Sequence, residues 1–233
     1  MKYKNYTILI VLVYLWILVA NPQARFEIIG TLRVEKILII LGWVTLFLSG
    51  RAQLKFNAIS GLIILFFVWL LLSFLLSQYS GYYFAQHWLD NYWKLIVLYF
   101  LILFAINDEK DIYVLISGYV IIIALYQMHT WVDFLRGGNY VYQQGIKRMI
   151  GIWSDGIGSA NYYGMITMLS LPFAYFWYST TESKLVKRFL ILYAIMTFAS
   201  VFYSGTRGAL LGVLFFMFLN MRSFKQVIKS FYY

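Results

Sequence analysis

Residues 58–77 are twenty consecutive positions without a charged side chain. A helix rises about 1.5 Å per residue, so a run of that length covers the roughly 30 Å of hydrocarbon in a bilayer. Seven further apolar runs flank it: Tyr6–Ala20 and residues 34–49, 94–106, 112–135, 161–181, 189–203 and 209–220. Of the 233 residues 62% are hydrophobic and 12% charged, more apolar surface than a soluble domain of this length can bury. The sequence therefore predicts an all-α protein, a polytopic transmembrane helical bundle of about eight spans. Residues 1–233 are expected to form a single integral membrane domain.

The connections differ in kind. Residues 78–93 hold Tyr79, Tyr82, Tyr83, Phe84, Trp88, Tyr92 and Trp93 together with His87 and Asp90. That mixture predicts an interfacial helix or loop lying on the membrane. Residues 107–111 are a tight charged turn, and Pro172 predicts a kink in the sixth run. Residues 136–160 form the longest connection, with six glycines and Arg136, Lys147, Arg148 and Asp155. Such a segment is unsuited to lipid and is expected in water or folded back on protein. Lys2 and Lys4 before the first run resemble a signal peptide, but no small residue stands two places before Ala20, so the helix reads as retained.

The formal charge of +10 is spread through short loops, which points to topology determinants and anion ligands and away from nucleic acid. There is no cysteine, which removes disulfides, thiolate metal sites and cysteine nucleophiles. With the N-terminus cytoplasmic, eleven cations fall inside: Lys2, Lys4, Arg51, Lys55, Lys110, Lys184, Lys187, Arg188, Arg222, Lys225 and Lys229. Eight fall outside: Arg25, Arg33, Lys36, Lys94, Arg136, Lys147, Arg148 and Arg207. The bias favours that orientation weakly, and four outer cations cluster around the long loop and the last turn, against the rule. Holding an anion is the evident reason to keep them there.

The last turn, Ser204-Gly205-Thr206-Arg207-Gly208, sets one guanidinium between two apolar runs. An arginine within hydrocarbon costs roughly 2.5–3.5 kcal/mol on insertion scales, so it asks for a function. Arginine grips phosphate through two parallel hydrogen bonds and stays charged, and glycines let a ligand approach the backbone. The competing reading is a topology anchor whose side chain snorkels to water. Arg148, Asp155 and Asn161 precede the sixth span and would share a face with Arg207. No Asp-x-Asp or Glu-x-x-His pair is present, so charge neutralisation would fall to the arginines, without a metal or other cofactor.

Arg148-x-x-Gly151-x-Trp153-x-Asp155, then Asn161 opening a span, then Tyr203-Ser204-Gly205-Thr206-Arg207-Gly208-Ala209-Leu210-Leu211-Gly212, resembles the O-antigen ligase and O-antigen polymerase superfamily, with Thr206 where serine is usual. The resemblance spans roughly residues 58–220. It implies an inverting membrane glycosyltransferase of the bacterial inner membrane, acting in lipopolysaccharide or related polysaccharide biosynthesis. Its donor would be a glycan on undecaprenyl pyrophosphate at the periplasmic face, and its acceptor a hydroxyl on lipid A-core, another glycan or a protein. Arg148 and Arg207 would then bind the pyrophosphate, with Asp155 as candidate base. Arg136, Lys147, Asn161, Ser204 and Gly205 would line the substrate. Members of the superfamily continue into a large periplasmic loop carrying a histidine, whereas His87 and His129 both lie upstream here. The chain thus reads as an N-terminal fragment, inactive alone.

Other assignments compete. His87 with Asp90 and His129 with Asp133 have helical spacing for a dyad, yet suit interfacial or bundle contacts better. Glu35 reads as an interface residue. The glycines of residues 137–158 read as loop punctuation, because no Gly-Lys-Ser/Thr opens a helix after them. A transporter or flippase for an anionic lipid-linked substrate, or a non-catalytic scaffold, are the alternative functions. No internal repeat supports the first.

Overall fold

The computed structural model describes residues 5–22, 32–53, 55–76, 82–143, 145–152 and 159–220, with side chains for all of these except 82–92. The described chain is mostly helical: α1 (Tyr6–Ala20), α2 (Val34–Leu48), α3 (Ala58–Leu76), α4 (Tyr82–Ala105) and α5 (Glu109–Leu135) come first. Strands β1 (Tyr140–Gln143) and β2 (Ile146–Met149) follow, then α6 (Ala160–Leu169), α7 (Leu171–Thr180), α8 (Lys184–Ser204) and α9 (Arg207–Leu219). Three helices, α3, α5 and α8, are long and apolar enough to cross a membrane, and shorter apolar helices accompany them.

Cap residues mark the helix starts. The Asn5 carboxamide oxygen accepts from the Ile8 N–H at 3.4 Å, and that of Asn57 from the Ser60 N–H at 2.8 Å. The Asp108 carboxylate accepts from the Asp111 N–H at 2.8 Å. Ser159 and Ser183 do the same for α6 and α8. Each cap satisfies an N–H that the helix leaves without a partner.

Three expectations change. The sixth apolar run is not one kinked helix: it breaks at Ser170, and α7 restarts with Pro172 in its first turn, where a missing N–H costs nothing. The segment expected to lie apart on the membrane over 78–93 is, from Tyr82 onward, the first part of α4, which runs unbroken to Ala105. The side chains of His87 and Asp90 lie outside the described residues. The chain is also not wholly helical, because residues 140–149 form an antiparallel hairpin.

Contacts divide the chain into one unit of residues 1–14 and 32–114 and another of residues 15–31 and 115–233. In the first, α2 packs on α4 where Gly42 lets the Leu101 side chain close in; a Cβ there would meet Leu101 Cδ2 at 2.7 Å. Phe56, Phe100 and Phe104 cluster together, and Phe104 packs edge-on against Trp43. In the second, α6 packs most extensively on α8. Along α8 the side chains of Ser204, Ser200, Thr197 and Tyr193 recur at helical spacing and are all buried. Ser200 accepts from Tyr163 at 3.0 Å and from the Trp131 indole at 2.9 Å. The Gln127 amide donates to Thr197 at 2.9 Å, and Tyr193 pairs with Ser170.

Candidate functional site

The hairpin is the element that sequence periodicity should have exposed. Tyr140, Val141 and Tyr142 favour strands, and Gly145 supplies the positive φ of 76° that a tight two-residue turn needs. The register pairs Val141 with Arg148 and Tyr142 with Lys147. Adjacent strand residues point to opposite faces, so Lys147 and Arg148 part company. Lys147 sits over the Tyr140 and Phe134 rings, its Nζ 4.2 and 5.0 Å from their centroids.

Arg148 turns the other way and fastens three elements together. Its Nε donates to the Ser204 carbonyl at 2.6 Å, closing the C-terminus of α8. One terminal nitrogen donates to the Asn161 side-chain oxygen at 2.7 Å, at the start of α6. The other donates to Gln143 on β1. A cation on the last carbonyls of a helix also complements its dipole. Three of the five guanidinium N–H groups are thereby engaged, leaving two.

The turn beneath is tightly specified. Gly205 takes φ 63° as the left-handed cap of α8, and a Cβ there would lie 3.1 Å from Arg148 Nε. Ser204 and Thr206 are buried. The Ser204 hydroxyl donates to Thr206 Oγ1 at 2.9 Å, and the Thr206 hydroxyl donates to the Ala160 carbonyl at 2.9 Å. Gly164 on α6 makes room for both: its Cβ would stand 2.5 Å from Ser204 Oγ and 2.7 Å from Thr206 Oγ1. Because Thr206 turns its hydroxyl to Ala160, it gives α9 no side-chain cap.

Arg207 is the first residue of α9 and is exposed. Among the described residues its guanidinium has no hydrogen-bond or ionic partner. One residue, Thr206, separates it from Gly205, so the two Cα atoms lie at most about 7 Å apart. The sequence-predicted residues Arg148, Asn161, Ser204 and Gly205 thus meet at one place, with Arg207 beside them. Arg136, exposed just beyond α5, and Lys147, on the far face of the hairpin, do not touch this cluster. Asp155 lies outside the described residues. Sequence reasoning missed Gln143 and Gly164. The strand alternation could have found the first; nothing local marks Gly164 among sixteen glycines. His129 and Asp133 approach at 3.8 Å, and Asp133 also accepts from Asn139 at 3.2 Å, so the pair belongs to the end of α5.

The family described as "Family of unknown function (DUF5935)" matches residues 5–158, more than half of the chain, and the chain belongs to it. The match takes in the hairpin and Arg148 and stops before Asn161 and the Arg207 turn. No curated protein and no solved structure matches the chain.

Proposed function

We propose that this chain belongs to an O-antigen ligase-like glycosyltransferase of the bacterial inner membrane, and that Arg207 grips the pyrophosphate of a lipid-linked glycan donor. About eight apolar helices cross the bilayer, with the N-terminus in the cytoplasm and the Arg207 turn at the periplasmic face. What supports alternating spans is that Asn5, Lys55 and Asn107 bond at one end of their unit. Asn5 donates to the Ala105 carbonyl at 3.0 Å, Lys55 to the Ile106 carbonyl at 2.6 Å and Asn107 to the Arg51 carbonyl at 2.9 Å. Helices α1 to α4 therefore alternate in direction, as spans joined by short loops must.

The observation that carries the chemistry is the state of Arg207. It is an exposed guanidinium at a helix start whose cap hydroxyl is committed elsewhere, on a turn that Arg148 holds rigid. A cation and helix N–H groups at one point attract a negative group. In glycosyl transfer from a pyrophosphate carrier, the acceptor hydroxyl attacks the anomeric carbon and gives up its proton to a base or to water, the bond to the phosphate oxygen breaks, and negative charge develops on the leaving pyrophosphate. A guanidinium placed to meet that charge lowers the barrier. In this role Arg148 is a positioning residue that fixes the turn, and its two remaining N–H groups are open to the same ligand.

The test is complementation of a ligase-deficient strain by the reading frame that contains this chain, read as loss of lipid-linked glycan. Arg207→Ala should abolish transfer while the protein stays in the membrane. Arg207→Lys should be nearly as poor, since a point charge lacks the fork. If Arg207→Ala instead removes the protein from the membrane, the residue is a topology anchor and the proposal falls.

A further inference from the structure

The hairpin exposes what a strand pair in water would hide. On the face that the register gives Lys147, Tyr142 is 67% exposed and Tyr140 37%, while Leu135 just before the hairpin is 76% exposed. Of its eight strand residues only Met149 is buried. The hairpin is also pinned. Gly138 N–H donates to the Asp133 carbonyl at 2.8 Å, and the Asn139 side chain donates to the Asp133 carboxylate at 3.2 Å, on the last turns of α5. Arg148 ties the other strand to the last carbonyl of α8. Both of those helices are long and apolar enough to cross a membrane. A strand pair fastened to the ends of two such helices sits where they leave the hydrocarbon.

We infer that the β1–β2 hairpin lies in the headgroup layer of a phospholipid membrane, with Tyr142 and Tyr140, on the face that carries Lys147, entering the acyl boundary and Lys147 and Arg136 at phosphate depth. The chemistry of each residue fits that layer. Tyrosine places a ring in the apolar zone and a hydroxyl in the wet one. Lys147, held over the Tyr140 and Phe134 rings, presents its charge at a fixed height. The apolar surface is continuous with α5 through Leu135. One consequence is that Arg148, on the opposite face of β2 from Lys147, is held close to the depth at which a lipid carries its phosphate. The inference needs only that α5 and α8 cross the bilayer, and stands whether or not the Arg207 turn binds a glycan donor.

The experiment measures depth. The chain has no cysteine, so Tyr140→Cys and Tyr142→Cys each carry a single environment-sensitive fluorophore. The full chain is reconstituted in vesicles of phosphatidylethanolamine and phosphatidylglycerol containing lipids with nitroxides at shallow or deep positions. Leu65→Cys on α3, 65% exposed, reports successful insertion, and Glu182→Cys, between α7 and α8, reports water. The expected result is blue-shifted emission at 140 and 142, quenched at least about twofold by the shallow nitroxide and less by the deep one, as burial of about 5–10 Å requires. If 140 and 142 behave like 182 while 65 is quenched by the deep nitroxide, the hairpin is not in the membrane and the inference is overturned.

Discussion

In the unit of residues 1–14 and 32–114, side-chain hydrogen bonds gather at one end of the helices. Thr7 pairs with Thr45 and Ser60 with Tyr99, in the same turns where Asn5, Lys55 and Asn107 bond. In the unit of residues 15–31 and 115–233 they instead run down α8, from Ser204 through Ser200 and Thr197 to Tyr193. The contrast matters because lipid gives helices no hydrophobic reason to associate. Packing of small residues and hydrogen bonds must do it, at roughly 0.6 kcal/mol per bond on average. The first unit needs its bonds to hold loops. The second uses them to fix α5, α6 and α8 against one another, and at their end stands the turn that carries Arg207. The ladder of cross-helix bonds ends at the turn where the proposed chemistry needs position.

The sharpest way to break that comparison is to overfill each unit. Gly164→Ala pushes a methyl into Ser204 Oγ and Thr206, groups with no freedom to yield. It should cost about 2–3 kcal/mol, near the upper end for overpacking, and unseat the turn. Gly42→Ala meets only the end of the flexible Leu101 side chain, and should cost less than about 1 kcal/mol, below the usual overpacking range. Thermal unfolding in detergent, followed by circular dichroism, measures both; equal losses would erase the distinction.

Next in size is Arg148→Ala, which deletes three bonds to uncharged partners and opens the C-terminus of α8. A loss of about 2 kcal/mol is expected, in the range for hydrogen bonds to a charged group. Arg148→Lys should restore little, because one ammonium cannot reach three diverging acceptors. The same unfolding assay, with labelling of a cysteine placed at Gly208, would show the turn loosening before the rest. Smaller is Asn5→Ala, which removes a cap and the tie to Ala105 and should cost about 1 kcal/mol. Smallest is Gln127→Leu with Thr197→Val. Replacing both partners of a buried pair by apolar groups should change stability by less than about 0.6 kcal/mol, the average worth of such a bond in a bilayer. A large loss there would mean that the ladder is cooperative rather than a set of separate bonds.

How much of this could be read from the residues depends on what each one signals. The apolar runs became helices, and Asn5, Asn57, Asp108, Ser159 and Ser183 stand immediately before them as caps, because both signals are local. The meeting of Arg148, Asn161 and Ser204 was legible in outline, since a connection and a turn that both break apolar runs must come together at one end of a bundle. The hairpin was hidden by its glycines, which read as loop, although Tyr140-Val141-Tyr142 and Gly145 carried the strand and turn signals. Pro172 marked a disturbance but not its form; a proline in the first turn of a new helix and one kinking a continuous helix look alike in sequence. The part played by Gly164 depends on Ser204 and Thr206, which face it from some forty residues along the chain, and no local pattern encodes that.

The most direct measurement is the affinity of the chain, in nanodiscs, for undecaprenyl pyrophosphate, compared between the wild type and Arg207→Ala with helicity monitored in parallel. The account predicts saturable binding by the wild type and a loss of at least about tenfold in the variant, the equivalent of one charge-assisted hydrogen bond of roughly 1.5–3 kcal/mol, with helicity unchanged. Equal affinity in the two proteins would contradict it.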